Sequence, residues 1–565
     1  MNYRNIICEA ISKASGLAEN EIEALMETPP DKSLGDFAFP CFKLAKTFRK
    51  APAMIAGELI DKIEKPGFVS QINAVGAYIN FFVDRSVFAK DIIEKIMEEG
   101  TDYGRSDRGR GKTIVLDYSS INIAKPFHIG HLLTTVIGNS LYRIFSFLGY
   151  TCVGVNHLGD WGTQFGKLIS AYKRWGNREL IEEGGIKELL NIYVRFHKEA
   201  ETHPELEDEA RAYFKAIEDG DEEALALFHW FKDVTLKDIS KIYDLLGVKF
   251  DSYAGESFYN DKMQPVIDEL REKGLLEESD GAMVVNLDDE GLPPCLILKR
   301  DGTTLYATRD LAAAFYRKKT YDFDKCLYVV AYQQNLHFKQ LFTVIKKMGY
   351  DWADDMVHVN FGMVSMADGA MSTREGRVVF LEEVLQKAIE KTRLIIEEKN
   401  PGMEDKDTVS RQIGVGAVIF SALYAGRIKD MVFDYDRVLN FDGETAPYVQ
   451  YCHTRCRSLL QRAEGRYDAV APDWSVFTED EAFDVVSRLS DFPELIEKAS
   501  LRYEPSFITH YVTELAQAFN KYYYDFRIID DDMNKTAARL KMTLAVADTI
   551  KTGLWLLGIE TPAKM

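Results

Sequence analysis

Two histidines three residues apart, His128 and His131, follow Lys125 in the stretch Asp117-Tyr118-Ser119-Ser120-Ile121-Asn122-Ile123-Ala124-Lys125-Pro126-Phe127-His128-Ile129-Gly130-His131. At that spacing both imidazoles lie on one side of a helical turn and can donate to one oxyanion. Lys125 adds a fixed positive charge, and Gly130 leaves room for a flat base or ribose against the backbone. The chemistry these groups support is stabilisation of phosphate charge. Further on, the chain carries acceptors suited to a cation. Tyr306 and Asp310 are four apart and share a helix face.

The elements that must position these groups are legible around them. Thr113-Ile114-Val115-Leu116 predicts a buried strand. Leu132, Leu133, Val136, Ile137, Leu141, Ile144, Phe145 and Leu148 recur at helical spacing, and Gly149 closes that helix. Strand, polar turn and helix start form a unit that holds nucleotide phosphates, because the first helical amides are unpaired and partly positive. A second strand is predicted from Val153, and the glycines at 159, 162 and 166 mark a turn of close backbone approach. Residues from about 175 to 295 read as helical and highly charged, with Glu205–Glu209 a solvated face. Cys295–Leu298 is expected to restart the α/β pattern, followed by a turn running into an alanine-rich helix over 301–317 and strands at Cys326–Ala331 and Met356–Asn360. The first of these two ends in Tyr332–Phe338, at the strand edge where α/β sheets bind ligands.

At 565 residues the chain spans several domains, and its 12% aromatic content argues against disorder. The formal net charge of −20 argues, on composition alone, against a polyanion partner. Seven cysteines without a CxxC pair indicate neither a disulfide framework nor a zinc ribbon, and Cys452 and Cys456 read as core. The start has no signal-peptide or transit character and no window approaches a membrane span, so a cytoplasmic protein is expected.

The tetrapeptide His128–His131 resembles the first signature of the class I aminoacyl-tRNA synthetases. The flanking Ser119-Ser120-x-Asn122-x-Ala124-Lys125-Pro126 resembles the arginyl-tRNA synthetases in particular. Asn156–Gly166 is similar to that family's second signature, and Gly414–Asp436 to its connection out of the catalytic domain. The resemblance covers essentially the whole chain. It implies an α/β fold: a class I Rossmann-like nucleotide-binding catalytic domain at 111–380 with a helical insertion at about 175–295. Around it come an N-terminal α+β domain at 1–110, a helical connection at 381–440, and a C-terminal all-α anticodon-binding bundle at 441–565. The implied activity is ATP-dependent ligation of L-arginine to tRNA(Arg) through an arginyl-adenylate, with tRNA needed for the activation step.

The resemblance also implies roles for residues. Lys125, His128, His131, Ser372 and Arg374 would be catalytic. Lys125, His128, Gly130, His131, Met363, Val364 and Ser372 would bind ATP. Asp117, Asn122, Tyr306, Asp310 and Gln334 would bind arginine. Asn80 and Phe82, taken as exposed on the last strand of the N-terminal domain, would meet the tRNA elbow by hydrogen bonding and stacking. Mg²⁺ is expected as the nucleotide's counter-ion, with no zinc, no membrane partner and a monomeric state.

Five departures from the family pattern stand out. Ile121 replaces a usual proline, and Asp117 a more usual glutamate. In the second phosphate loop, Gly362–Gly376, Ala370 and Thr373 stand where lysines are expected, and Glu375 adds negative charge. Ser372 and Arg374 remain there as phosphate groups, and Lys125 is available to compensate. The damaged loop keeps open a catalytically dead, RNA-binding paralogue. Two acidic pocket residues argue against a class I synthetase of another specificity or a related nucleotidylyltransferase.

Overall fold

The computed structural model describes residues 3–29, 31–125, 127–300, 304, 306–366 and 379–565. The chain forms two compact units. One contains residues 1–100 together with 459–490 and 518–545. Its sheet is antiparallel, with Tyr78–Val83 between Phe37–Pro40 and Val69–Val75. The central strand is buried at Ile79, Asn80, Phe81 and Val83. This corrects one expectation. Asn80 pairs with Ala38 on one side and Asn73 on the other and is only 4% exposed, so it does not offer a base a surface. Phe82, two residues further along the same strand, is half-buried. The helix Arg85–Glu99 starts at Asp84, whose carboxylate accepts from the amides of Ser86 and Val87, a good N-cap. Its Phe88 packs on Phe483 of the same unit.

The other unit contains residues 101–458, 491–517 and 546–565. Its centre is a parallel sheet of four strands: β1 (Thr113–Asp117), β2 (Thr151–Val155), β3 (Lys325–Tyr328) and β4 (Met356–His358). The spatial order is β4-β3-β1-β2. β1 is bonded on both edges and buried on both faces, which accounts for its unbroken apolar run. Helices α1 (Leu132–Phe147), α2 (Tyr306–Tyr321) and α3 (Asn335–Lys347) flank the strands. Val115, Val155, Cys326 and Met356 share one core with Leu311–Ala314 of α2 and Leu341, Val344 and Ile345 of α3. The alanines let α2 approach the sheet closely. Gly138 does the same for α1, since a Cβ there would stand 2.3 Å from the Tyr118 side chain.

The chain moves from β1 to β2 on one side and then returns to place β3 on the other. A crevice therefore opens between the C-terminal ends of β1 and β3, the usual ligand site of such sheets.

The inserted segment is helical, from Thr163–Trp175 through Met263–Glu272. Cys295–Leu298 does not restart the parallel sheet. It closes a small antiparallel sheet with Leu276–Ser279 and Ala282–Val285. A four-residue apolar run carries no information about its partner, so sequence could not separate the two outcomes. Residues beyond 380 are mainly helical, apart from Met431–Phe433, which pairs in parallel with Val364–Met366.

Candidate active site

The loop leaving β1 is held by buried hydroxyls. The Ser119 amide donates to Thr134 Oγ1 at 3.0 Å, and Thr134 Oγ1 donates to the Val329 carbonyl at 2.7 Å. One threonine of α1 thus ties the ends of β1 and β3 together across the crevice. Ser119 Oγ lies 2.7 Å from the Tyr243 hydroxyl, and Thr135 Oγ1 donates to it at 3.0 Å. Ser119, Ser120 and Ala124 all have φ between 43° and 70°. Left-handed conformations cost non-glycine residues about 1–2 kcal/mol each and persist where the surroundings fix them. Asn122 bridges in parallel to Gly159, and a Cβ on Gly159 would stand 2.4 Å from Asn122 Oδ1. That close approach is the physical reason for the glycine in the second signature.

His128 and His131 are brought together as expected, with ring centroids 4.0 Å apart. The geometry adds which nitrogen each can use. His128 Nδ1 accepts from the Gly130 amide at 3.0 Å, and His131 Nδ1 accepts from the His128 amide at 3.3 Å. Both rings therefore carry their proton on Nε2, the only nitrogen left to donate to a ligand. Burial lowers the pKa of both, and the nearby Lys125 charge lowers them further. His131 is pushed down to about 3, with His128 adding to the effect. The pair acts as two neutral donors, and the positive charge belongs to Lys125.

The acidic groups are arranged unequally. Asp117 is buried, and both its oxygens are engaged: Oδ2 by Arg317 Nη2 at 2.7 Å and Oδ1 by Ser120 Oγ at 2.6 Å. Asp310 is more open. Its Oδ2 lies 2.6 Å from His337 Nε2, and its Oδ1 3.8 Å from His157 Nε2. Burial works against its charge, but the hydrogen bond and charge of His337, helped by His157 and Arg317, outweigh it and hold the carboxyl below its usual range. His157 Nδ1 faces Arg317 Nη2 at 3.4 Å, so its proton sits on Nε2, toward Asp310. Glu256, further back beside Arg309, is pushed up to about 7, mainly by burial and then by the charges of Asp310 and Asp160 against that of Arg309.

Tyr306 opens α2 and is 68% exposed, and Gln334, just before α3, is also exposed. Both stand at the rim while Asp310 stands deeper. Met363 is 43% exposed, but its amide and carbonyl already bond Asp430 and Met431, which leaves the thioether side chain for a ligand. Val364 is buried against its neighbouring strand. Ser372 and Arg374 lie outside the described residues. Sequence reasoning did not single out Arg317, His157 or His337 for the site. Arg317 follows Asp310 by seven residues on the same helix face, and both histidines lie inside stretches already marked as rim loops, so the signal was present without a way to rank it.

Three family models match the chain. The one described as tRNA synthetases class I (R), catalytic domain, matches residues 92–435. The DALR anticodon binding domain matches 449–565, and the Arginyl tRNA synthetase N terminal domain matches 1–83. The chain is 54% identical to the arginine–tRNA ligase of Clostridioides difficile over 98% of both chains. It is 52% identical to that of Halothermothrix orenii over the full length of both. The solved Thermus thermophilus arginyl-tRNA synthetase is similar at a TM-score of 0.83, with 25% identity and complete coverage of both chains.

Proposed function

The chain belongs to the class I arginyl-tRNA synthetases, and from that premise we propose how its residues carry the reaction. The enzyme joins arginine to tRNA at the expense of ATP. An oxygen of the arginine carboxylate attacks the α-phosphorus, and the bond to pyrophosphate breaks as the new one forms. A ribose hydroxyl at the tRNA terminus then attacks the activated carbonyl, and AMP leaves. Positioning and charge stabilisation supply the catalysis.

Lys125 and the Nε2–H groups of His128 and His131 hold the reacting phosphate at the end of β1, beside Gly130. Asp310 receives the substrate guanidinium, with Tyr306 and Gln334 closing the rim and Asn122, fixed by Gly159, holding the amino-acid end. Asp117 acts beneath them as the partner of Arg317. Met363 supports the nucleotide through its side chain, and Val364 fixes the strand that carries it. Ser372 and Arg374 clamp the leaving pyrophosphate. Mg²⁺ fits as a counter-ion arriving with the nucleotide: it needs few protein carboxylates when phosphates are present, and no three metal-ligating side chains converge among the described residues.

Residues 1–110, through Phe82, meet the tRNA elbow, and 441–565 the anticodon, joined to the catalytic part by 381–440. No described helix is long and apolar enough to cross a membrane; the reading takes the protein as a monomer working in the cytoplasm. Binding of tRNA completes the pocket, so arginine activation depends on it.

The observation that carries this reading is the division of the crevice, with neutral donors and Lys125 on one side and an ionised Asp310 held by two histidines on the other. ATP–pyrophosphate exchange with each amino acid, with and without tRNA, tests it. Exchange is expected with arginine alone among them and only when tRNA is present. Full exchange in RNase-treated enzyme would remove the tRNA requirement and leave the arginine assignment intact.

A further inference from the structure

One guanidinium ties together three segments of the second unit. Arg427 donates from Nη1 to the Asn360 carbonyl and to Asn360 Oδ1, the latter at 2.8 Å. Its Nε donates to the Tyr503 carbonyl at 3.2 Å. Its own amide donates to the Glu504 carboxylate, 3.1 and 3.3 Å from the two oxygens. Tyr503 and Glu504 form the turn between the helices Asp480–Arg502 and Ser506–Asp525, and Tyr503 has φ 51°, a left-handed turn held in place.

The restraint passes toward both substrates. Asn360 Nδ2 donates to Asn335 Oδ1 at 3.0 Å, and Asn335 begins α3 directly after Gln334. The Arg427 carbonyl accepts from the Gly362 amide at 2.8 Å, directly before Met363. Met363 is then pinned by Asp430 Oδ1 at 2.7 Å, and Val364–Met366 continues in parallel register with Met431–Phe433. The contact is close: a Cβ on Gly362 would lie 2.5 Å from the Lys429 carbonyl. Arg427 is half-buried. Burial lowers its pKa, and the Glu504 charge opposes that. A partly desolvated guanidinium with this many acceptors fixes geometry more tightly than neutral hydrogen bonds would.

We propose that Arg427 and Glu504 are positioning residues for both substrates. Arg427, between the helix Lys406–Tyr424 and the strand Met431–Phe433, and Glu504, in the turn between two C-terminal helices, set the place of the arginine edge at Gln334 and of the nucleotide edge at Met363. The proposal rests on the reading of those two residues as substrate contacts.

The test is pyrophosphate exchange by full-length enzyme with tRNA present, comparing Arg427→Lys, Glu504→Gln and their combination with Gln334→Ala and Met363→Ala. Arg427→Lys is expected to raise the KM for ATP and for arginine together by about tenfold. Glu504→Gln should move both in the same direction by less, and the double variant should be no worse than Arg427→Lys, as for residues that act as one unit. A merely structural role would lower the melting temperature and leave both KM values unchanged, which overturns the proposal, as does a rise in only one of them. If Gln334→Ala and Met363→Ala raise their respective KM values while Arg427→Lys does not, the contacts stand and the link falls. If the reverse holds, Gln334 and Met363 are not the contacts, and the proposal falls with that reading. Should Arg427→Lys fail to fold, Glu504→Gln, which keeps an acceptor oxygen, decides by the same two KM values.

Discussion

Arg317 Nη2 lies 2.7 Å from Asp117 Oδ2, and both side chains are almost wholly buried beneath the crevice. On the proposed reading, a guanidinium of the protein itself thus lies beneath the one it binds. Arg317 also lies over the Tyr328 ring at 5.3 Å. The pair cancels one negative charge and leaves Asp310 as the open carboxylate. Breaking a buried pair from one side strands a charge, which typically costs about 3–5 kcal/mol. Arg317→Met is expected to lower stability by that amount in urea unfolding, and adding Asp117→Asn should recover much of the loss. An Arg317→Met protein as stable as the parent would show that the pair is not a coupled unit.

Asp310→Asn should raise the KM for arginine strongly, by a loss of about 2–5 kcal/mol, because a substrate charge loses its partner in a partly desolvated site. The KM for ATP should hardly move. Steady-state exchange kinetics check both, and an unchanged arginine KM would take Asp310 out of the pocket.

Lys125→Ala should depress kcat for adenylate formation far more than it weakens ATP, since its charge matters most as the phosphate reorganises. Thr373→Lys is expected to restore part of that rate. A variant with raised KM and normal kcat would assign Lys125 to ground-state binding instead.

His131 gives stability a pH dependence of known sign. Its folded pKa is about 3 against an ordinary 6.5, so between those values the unfolded chain binds more protons. Its contribution is fully present above about pH 6.5 and declines as the pH falls toward 3. From pH 7.5 to 5 the expected loss is up to about 2 kcal/mol. Urea midpoints across that range, compared with those of His131→Asn, isolate it: the two profiles should converge as the pH drops. Parallel profiles would mean that the ring is not held neutral.

Glu256 works in the opposite direction. Its folded pKa of about 7 lies above the ordinary 4.5, so the folded state keeps a proton that the unfolded chain has lost. Stability from this group is present below about pH 4.5 and is lost as the pH rises through 7. Glu256→Gln should therefore gain on the parent protein between pH 5 and pH 8 in thermal unfolding. No change in their difference over that interval would count against it.

The sequence by itself determined the local units. The apolar run of β1, the helical spacing of α1 and the histidine spacing depend on neighbours a few residues away, and chain periodicity records such relations directly. The longer motifs likewise carried the family, because each is a contiguous stretch. Only the tertiary structure decided which groups share a charge. Arg317 and Asp117 are two hundred residues apart in sequence, and no spacing rule brings them together. Asp117 therefore reads as an open acceptor in the sequence and is an engaged one in the fold. Asn80 looks like a polar residue for a ligand until the strand pairing puts it in the middle of a sheet. Cys295–Leu298 is apolar enough for either of two sheets, and its hydrogen-bond partners alone choose the antiparallel one. Burial and pairing are properties of what the rest of the chain places alongside a residue. They set charge states and available hydrogen-bonding atoms, and so they fixed which imidazole nitrogens are free to donate and which carboxylate is left more open.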